Sequence, residues 1–133
     1  MASRLATHLQ PGMVIYLHGD LGAGKTCLVR GVLNSLGYKG RVKSPTYTLL
    51  EPYLVANLNL RHFDLYRLQD KSEWDEAGFR DEFNGENILF IEWPEKALIP
   101  PADIEIYLDI LTRGRTATLK SNTVIGRTCL NQL

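Results

Sequence analysis

The chain has 133 residues, with 15 basic and 15 acidic side chains and no formal net charge. Its 44% hydrophobic and 23% charged content suits one core-bearing domain over residues 1–133, and neutrality argues against a field-driven nucleic-acid binder. No apolar run reaches the ~18–20 residues of a membrane span, and the N-terminus lacks a secretory h-region. Cys27 and Cys129 are far apart and fit no metal spacing, so the expected compartment is the cytoplasm and no membrane is involved. His8, His18 and His62 are equally scattered and are read as structural or exposed residues.

Ser3 to Leu9 reads as a short helix with Leu5 and Leu9 on one face. After the Pro11-Gly12 turn, Met13 to His18 is nearly continuous and apolar, as a parallel strand covered on both faces should be. A glycine-rich segment follows. Leu28, Val29, Val32, Leu33 and Leu36 then recur at helical spacing until Gly37. Lys39 to Lys43 is a basic loop. Thr46 to Tyr53 and Leu60 to Phe63 read as the two strands of a hairpin with its turn at Asn57 to Asn59. A helix starts near Asp70 to Ser72, capped by Asp70 with Glu73 or by Ser72 with Asp75, and Trp74, Phe79 and Phe83 form its apolar face. Asn84-Gly85 turns into a second buried strand, Ile88 to Ile91, which ends at Glu92. Ile104 to Ile110 alternates as a half-exposed strand, Arg113-Gly114 turns, and Thr116 to Lys120 is another short strand. The tail from Ser121 carries little pattern.

The glycine-rich segment is Gly19-Asp20-Leu21-Gly22-Ala23-Gly24-Lys25-Thr26, which matches G-x-x-x-x-G-K-[ST]. Glycines let a backbone turn tightly around phosphates. The N–H groups of such a loop and of the next helix bind anions. Lys25 supplies a charge between the β- and γ-phosphates, and Thr26 offers a hydroxyl to Mg²⁺. The strand before and the helix after the motif are the context this phosphate loop requires. The fold class is therefore α/β: a P-loop NTPase with a mostly parallel sheet, flanking helices and an antiparallel hairpin portion.

A phosphate loop needs a further carboxylate near the metal before it hydrolyses anything. Glu92 and Asp64, each ending an apolar strand, are the two candidates. Thr46, after Ser44-Pro45, is a candidate for a mobile threonine that senses the γ-phosphate. No Asn/Thr-Lys-x-Asp element for guanine is present, and Asp75-Glu76-Ala77-Gly78 falls inside the expected helix, so ATP is favoured over GTP. A small-molecule kinase is the alternative reading, although no arginine-rich lid follows the loop. A non-hydrolysing ATP-binding module is a third. Lys39, Arg41 and Lys43 are the one dense basic patch.

Four segments in this order and spacing resemble the bacterial TsaE (YjeE) family. They are the phosphate loop, Val42-Lys43-Ser44-Pro45-Thr46-Tyr47-Thr48-Leu49, His62-Phe63-Asp64-Leu65-Tyr66-Arg67-Leu68, and Ile91-Glu92-Trp93-Pro94-Glu95. The resemblance runs from about Leu5 to Lys120. It implies a small ATPase that serves tRNA threonylcarbamoyladenosine synthesis with the TsaD and TsaB proteins, touching tRNA only indirectly. It implies that Gly19 and Leu21 through Thr26 bind ATP, that Thr26 and Glu92 hold Mg²⁺, and that Lys25, Asp64 and Thr46 act in hydrolysis, Thr46 as a switch. It further implies that Trp93 and Arg115 border the nucleotide; by sequence alone Arg115 reads as a surface arginine. Members of the family carry about one more strand ahead of the position of Ser3, with part of the adenine contacts, and this sequence lacks it. Cys27 stands where the family commonly has Thr and is expected on the packing face of its helix.

Overall fold

The apolar run after Pro11-Gly12 becomes β1 (Val14–His18), an inner strand of the sheet. The computed structural model describes residues Met1–Leu133. The other strands are β2 (Leu50–Val55), β3 (Leu58–Asp64), β4 (Ile88–Glu92), β5 (Ile104–Ile110) and β6 (Arg115–Ser121), in the order β2-β3-β4-β1-β5-β6. β3, β4, β1 and β5 are parallel, while β2 and β6 close the two edges antiparallel. This is the mostly parallel sheet of a P-loop NTPase.

Both faces of the sheet are covered, and β4 shows why a run of four apolar residues is required there. Ile88 and Phe90 enter a cluster with Leu28, Val29, Val32 and Leu33 of α2 (Lys25–Ser35) and with Leu5 of α1 (Ala2–Thr7). Leu89 and Ile91 point the other way, into a cluster with Phe63, Leu65 and Trp74. All five residues of β4 are buried, and each large apolar side chain in it contributes about 2 kcal/mol. The parallel arrangement brings the ends of β1, β3 and β4 to one edge: Leu17 pairs with Glu92, and Asp64 pairs with Glu92. Ligands bind at such carboxyl ends in open α/β sheets.

Four expectations are revised. The strand expected from Thr46 begins only at Leu50. The Leu49 N–H donates to the Pro45 carbonyl at 2.7 Å, which curls Thr46–Thr48 into a turn and sets Leu49 at φ 65°; tertiary context overrides the β-branched preference. The hairpin turn uses Ala56 and Asn57, both at positive φ, rather than Asn57 to Asn59. The helix after Asp70 is cut to α3 (Ser72–Glu76), because Gly78 at φ 75° breaks it before a 3₁₀ turn at Phe79–Glu82. Its start keeps half of the expected capping: the Asp70 N–H donates to Glu73 Oε1 at 3.0 Å. Trp74, Phe79 and Phe83 still cluster, with ring centroids 5.4 and 5.8 Å from Trp74. Finally, the weakly patterned tail forms α4 (Val124–Asn131), capped where the Gly126 N–H donates to Thr123 Oγ1 at 3.0 Å and anchored by buried Cys129. No helix is long and apolar enough to cross a membrane.

Candidate functional site

The glycine-rich segment leaves β1 and turns at once into α2. Gly19 has φ 149°, and a Cβ there would lie 2.6 Å from the Leu108 carbonyl oxygen on β5, so the loop can follow this path only with glycine. Gly24, at φ 105°, is the left-handed residue that starts α2. The first N–H groups of an 11-residue helix then have no partner inside it and carry its positive end.

Lys25 is 5% exposed. Its ammonium donates to the Gly19 carbonyl and lies 3.8 Å from the centroid of the Trp93 ring. Burial pulls its pKa below the ordinary lysine value, against the opposing pull of Glu92 and Asp64. Trp93 itself, at φ 59°, is a non-glycine residue in the left-handed region, directly after β4. Such backbone strain concentrates at functional sites.

The Thr26 hydroxyl donates to Glu92 Oε2 at 2.9 Å. Glu92 is nearly closed to solvent, and the His62 ring nitrogen Nε2 meets the same oxygen at 2.5 Å. Asp64 lies one strand away in register with Glu92, and its Oδ1 accepts the Tyr66 N–H at 3.1 Å. Burial pushes the Asp64 carboxyl above the usual range and Glu92 adds to this, while the Tyr66 N–H works the other way.

These groups share a cleft of about 250 Å³ that brings together Leu21, Gly22, Gly24, Lys25, Thr26, Thr46, Asp64, Glu92, Trp93 and Arg115. Arg115, exposed at the start of β6, reaches across and donates to the Gly22 carbonyl at 3.3 Å. Thr46 is half-buried and shares a hydrogen bond of 2.8 Å with Ser44, which also lines the cleft. The opening continues past Leu21, Thr46 and Asp64 into a larger hollow of about 570 Å³ bordered by Tyr66, Arg67 and Lys96. Three motif residues do not line the cleft. Gly19 and Asp20 border a separate hollow beside Leu108 and Asp109, and Ala23 is 1% exposed with its N–H donated to the Asp20 carbonyl at 3.0 Å. Cys27, expected to pack, is instead exposed and lines the cleft.

The residue that the sequence reading passed over is His62. Its available signal was a polar residue inside a buried strand, two positions before Asp64 and hence on the same face of the strand.

The donor set suits phosphates and a small hard cation. A helix N-terminus, a left-handed glycine and a buried ammonium form an anion cradle. Beside it, one hydroxyl and one carboxylate provide only two oxygens, which matches Mg²⁺, an ion that keeps waters and takes phosphate oxygens as further ligands. There is no group of three or more His, Cys, Asp or Glu able to hold a metal by itself.

Comparison with known proteins gives a consistent result. The family model for the threonylcarbamoyl adenosine biosynthesis protein TsaE matches residues 1–122. The tRNA threonylcarbamoyladenosine biosynthesis protein TsaE of Haemophilus influenzae is 45% identical over 129 residues, covering 96% of this chain and 82% of that one. Its counterpart from Rickettsia felis is 40% identical over 118 residues, covering 86% and 68%. The crystal structure of Bacillus subtilis YdiB superposes with a TM-score of 0.76 at 27% identity, covering 98% of this chain and 82% of that one. The chain belongs to the TsaE family, the P-loop proteins of tRNA threonylcarbamoyladenosine biosynthesis.

Proposed function

We propose that this chain binds ATP with Mg²⁺ and hydrolyses it slowly in the cytoplasm, acting as a nucleotide-controlled switch on the TsaD–TsaB complex. The observation that carries the reading is the meeting of Lys25, Thr26 and Glu92 at one end of the sheet, with the Thr26 hydroxyl 2.9 Å from the Glu92 carboxylate. In this reading Leu21, Gly22, Gly24, Lys25 and Thr26, which line the cleft, hold the phosphates by backbone and ammonium, Gly19 and Ala23 shape the loop behind them, and Thr26 and Glu92 hold the cation. Bound Mg²⁺ supplies neutralisation of charge on the β- and γ-phosphate oxygens. Asp64, which lines the cleft beside Glu92 and whose carboxyl burial pushes above the usual range, accepts a hydrogen bond from the attacking water. Thr46 is the switch threonine, because it lines the cleft from a segment without helix or strand. Trp93 and Arg115 border the nucleotide, and the threonylcarbamoyl transfer belongs to the partners.

The test is ATP turnover with and without purified TsaD and TsaB, on wild type and Thr46→Ala. Slow turnover alone, acceleration by the pair and loss of that acceleration in Thr46→Ala are expected. Partners that neither bind nor change the rate would overturn the switch. Rapid ADP formation with a single metabolite acceptor would favour the small-molecule kinase instead.

A further inference from the structure

Five polar or charged side chains are buried, and His62 alone among them is fully closed to solvent, at 0% exposure. It lies on β3, beside β4, with its Nε2 2.5 Å from Glu92 Oε2. The same carboxylate oxygen accepts the Thr26 hydroxyl at 2.9 Å. One oxygen of Glu92 is therefore held from two directions, by a strand and by a helix start. Glu92 Oε1 takes no hydrogen bond from the chain.

The other ring nitrogen of His62 makes the imidazole informative. Nδ1 is buried and has no hydrogen-bond partner. A carboxylate acceptor at Nε2 places the proton there, which leaves Nδ1 as an unsatisfied acceptor in the core. Such a group costs stability, and an apolar side chain of similar size would fill the same space without that cost. The imidazole supplies one thing an apolar side chain cannot, the N–H directed at Glu92.

We propose that His62 is a positioning residue of the cation site. It fixes one oxygen of Glu92 so that the carboxylate keeps a single orientation for Mg²⁺, and it touches neither nucleotide nor metal itself. The inference rests on the reading of Thr26 and Glu92 as the Mg²⁺ residues. Partners that orient a ligand in this way typically change metal affinity by about 10–100-fold when removed.

The experiment uses the full chain and calorimetry rather than turnover. ADP binding is measured without divalent cation, and MgCl₂ is then titrated at saturating ADP. His62→Leu keeps an apolar filling but removes the donor. It is expected to leave Mg²⁺-free ADP affinity within about twofold and to weaken the apparent Mg²⁺ affinity by about 10-fold or more. His62→Gln, whose amide nitrogen occupies nearly the reach of Nε2, is expected to recover most of that loss. A wild-type Mg²⁺ titration in His62→Leu would reduce His62 to a packing residue. Where His62→Leu does not fold, His62→Gln and the shorter His62→Asn decide: retention in Gln with loss in Asn supports positioning, and equal behaviour overturns it. Glu92→Gln separates the two levels. If it leaves the Mg²⁺ titration unchanged, the cation site itself is wrongly placed; if it abolishes the titration while His62→Leu does not, only the positioning role fails.

Discussion

The two walls of the cleft are built in different ways. One wall, Gly19 to Thr26 with α2, is set by the core. Gly19 abuts the Leu108 carbonyl, Ala23 and Lys25 are buried, and Val29, Val32 and Leu33 tie α2 to the sheet at 0% exposure. The facing wall, residues 39–49, contains no helix or strand, and Ser44, Tyr47 and Thr48 are exposed. It is held by buried Pro45, by paired bonds between Tyr53 Oη and the Lys43 backbone at 3.0 and 3.2 Å, and by Arg67 stacked 4.3 Å over Tyr47. Few buried contacts and much exposed backbone define the end of a structure that opens and reorders at small cost. A phosphate cradle has to be rigid to be pre-organised, whereas a sensor has to have two arrangements for a ligand to choose between.

The contrast can be broken most strongly from the rigid side. Leu33→Ala leaves a cavity under α2 and is expected to cost about 2–5 kcal/mol in urea unfolding, a large share of the ~5–15 kcal/mol typical of a domain. Lys25→Ala removes the buried ammonium and is expected to weaken ATP binding by about 100-fold, measured by calorimetry, while the far-ultraviolet circular dichroism stays unchanged.

Asp64→Asn sharpens the boundary between the walls. The folded chain holds the Asp64 proton more tightly than the unfolded chain does, so this group favours folding below the unfolded pKa of about 3.9 and loses that contribution as pH rises through the raised folded value. Asp64→Asn is therefore expected to raise Tm at pH 7 by a few degrees and to give no gain near about pH 3. Hydrolysis should fall in the same variant. A gain that persists at low pH would show that the effect is not the buried charge.

The smallest effect on stability is expected at the facing wall. Thr46→Ala removes a hydroxyl bonded only to Ser44 and should shift stability by no more than about 0.5 kcal/mol in thermal unfolding. Its consequence belongs to partner-stimulated turnover. A large loss of stability instead would place Thr46 among structural residues.

Much of this molecule was legible before any fold was known. The strand, glycine turn and helix from Met13 to Gly37 follow from local rules, because hydrophobic period and backbone freedom act within a few residues. The apolar run ending at Glu92, the hairpin ending at Asp64 and the alternation of Ile104 to Ile110 are equally local. Residues that depend on neighbours distant in the chain were not legible. His62 reads as an ordinary core histidine until β3 is laid beside β4 and Glu92 meets it. Arg115 reads as a surface arginine until β6 is folded against β5 and its side chain crosses to Gly22. The turn at Thr46 and the helix after Ser121 also went unread, since the β-branched run at Thr46 outweighs its turn chemistry and α4 shows only eight residues of weak pattern. Composition and periodicity specify which segments become strands and helices. Which side chains then share a site depends on strand order and register, and these are set by the packing of the whole sheet.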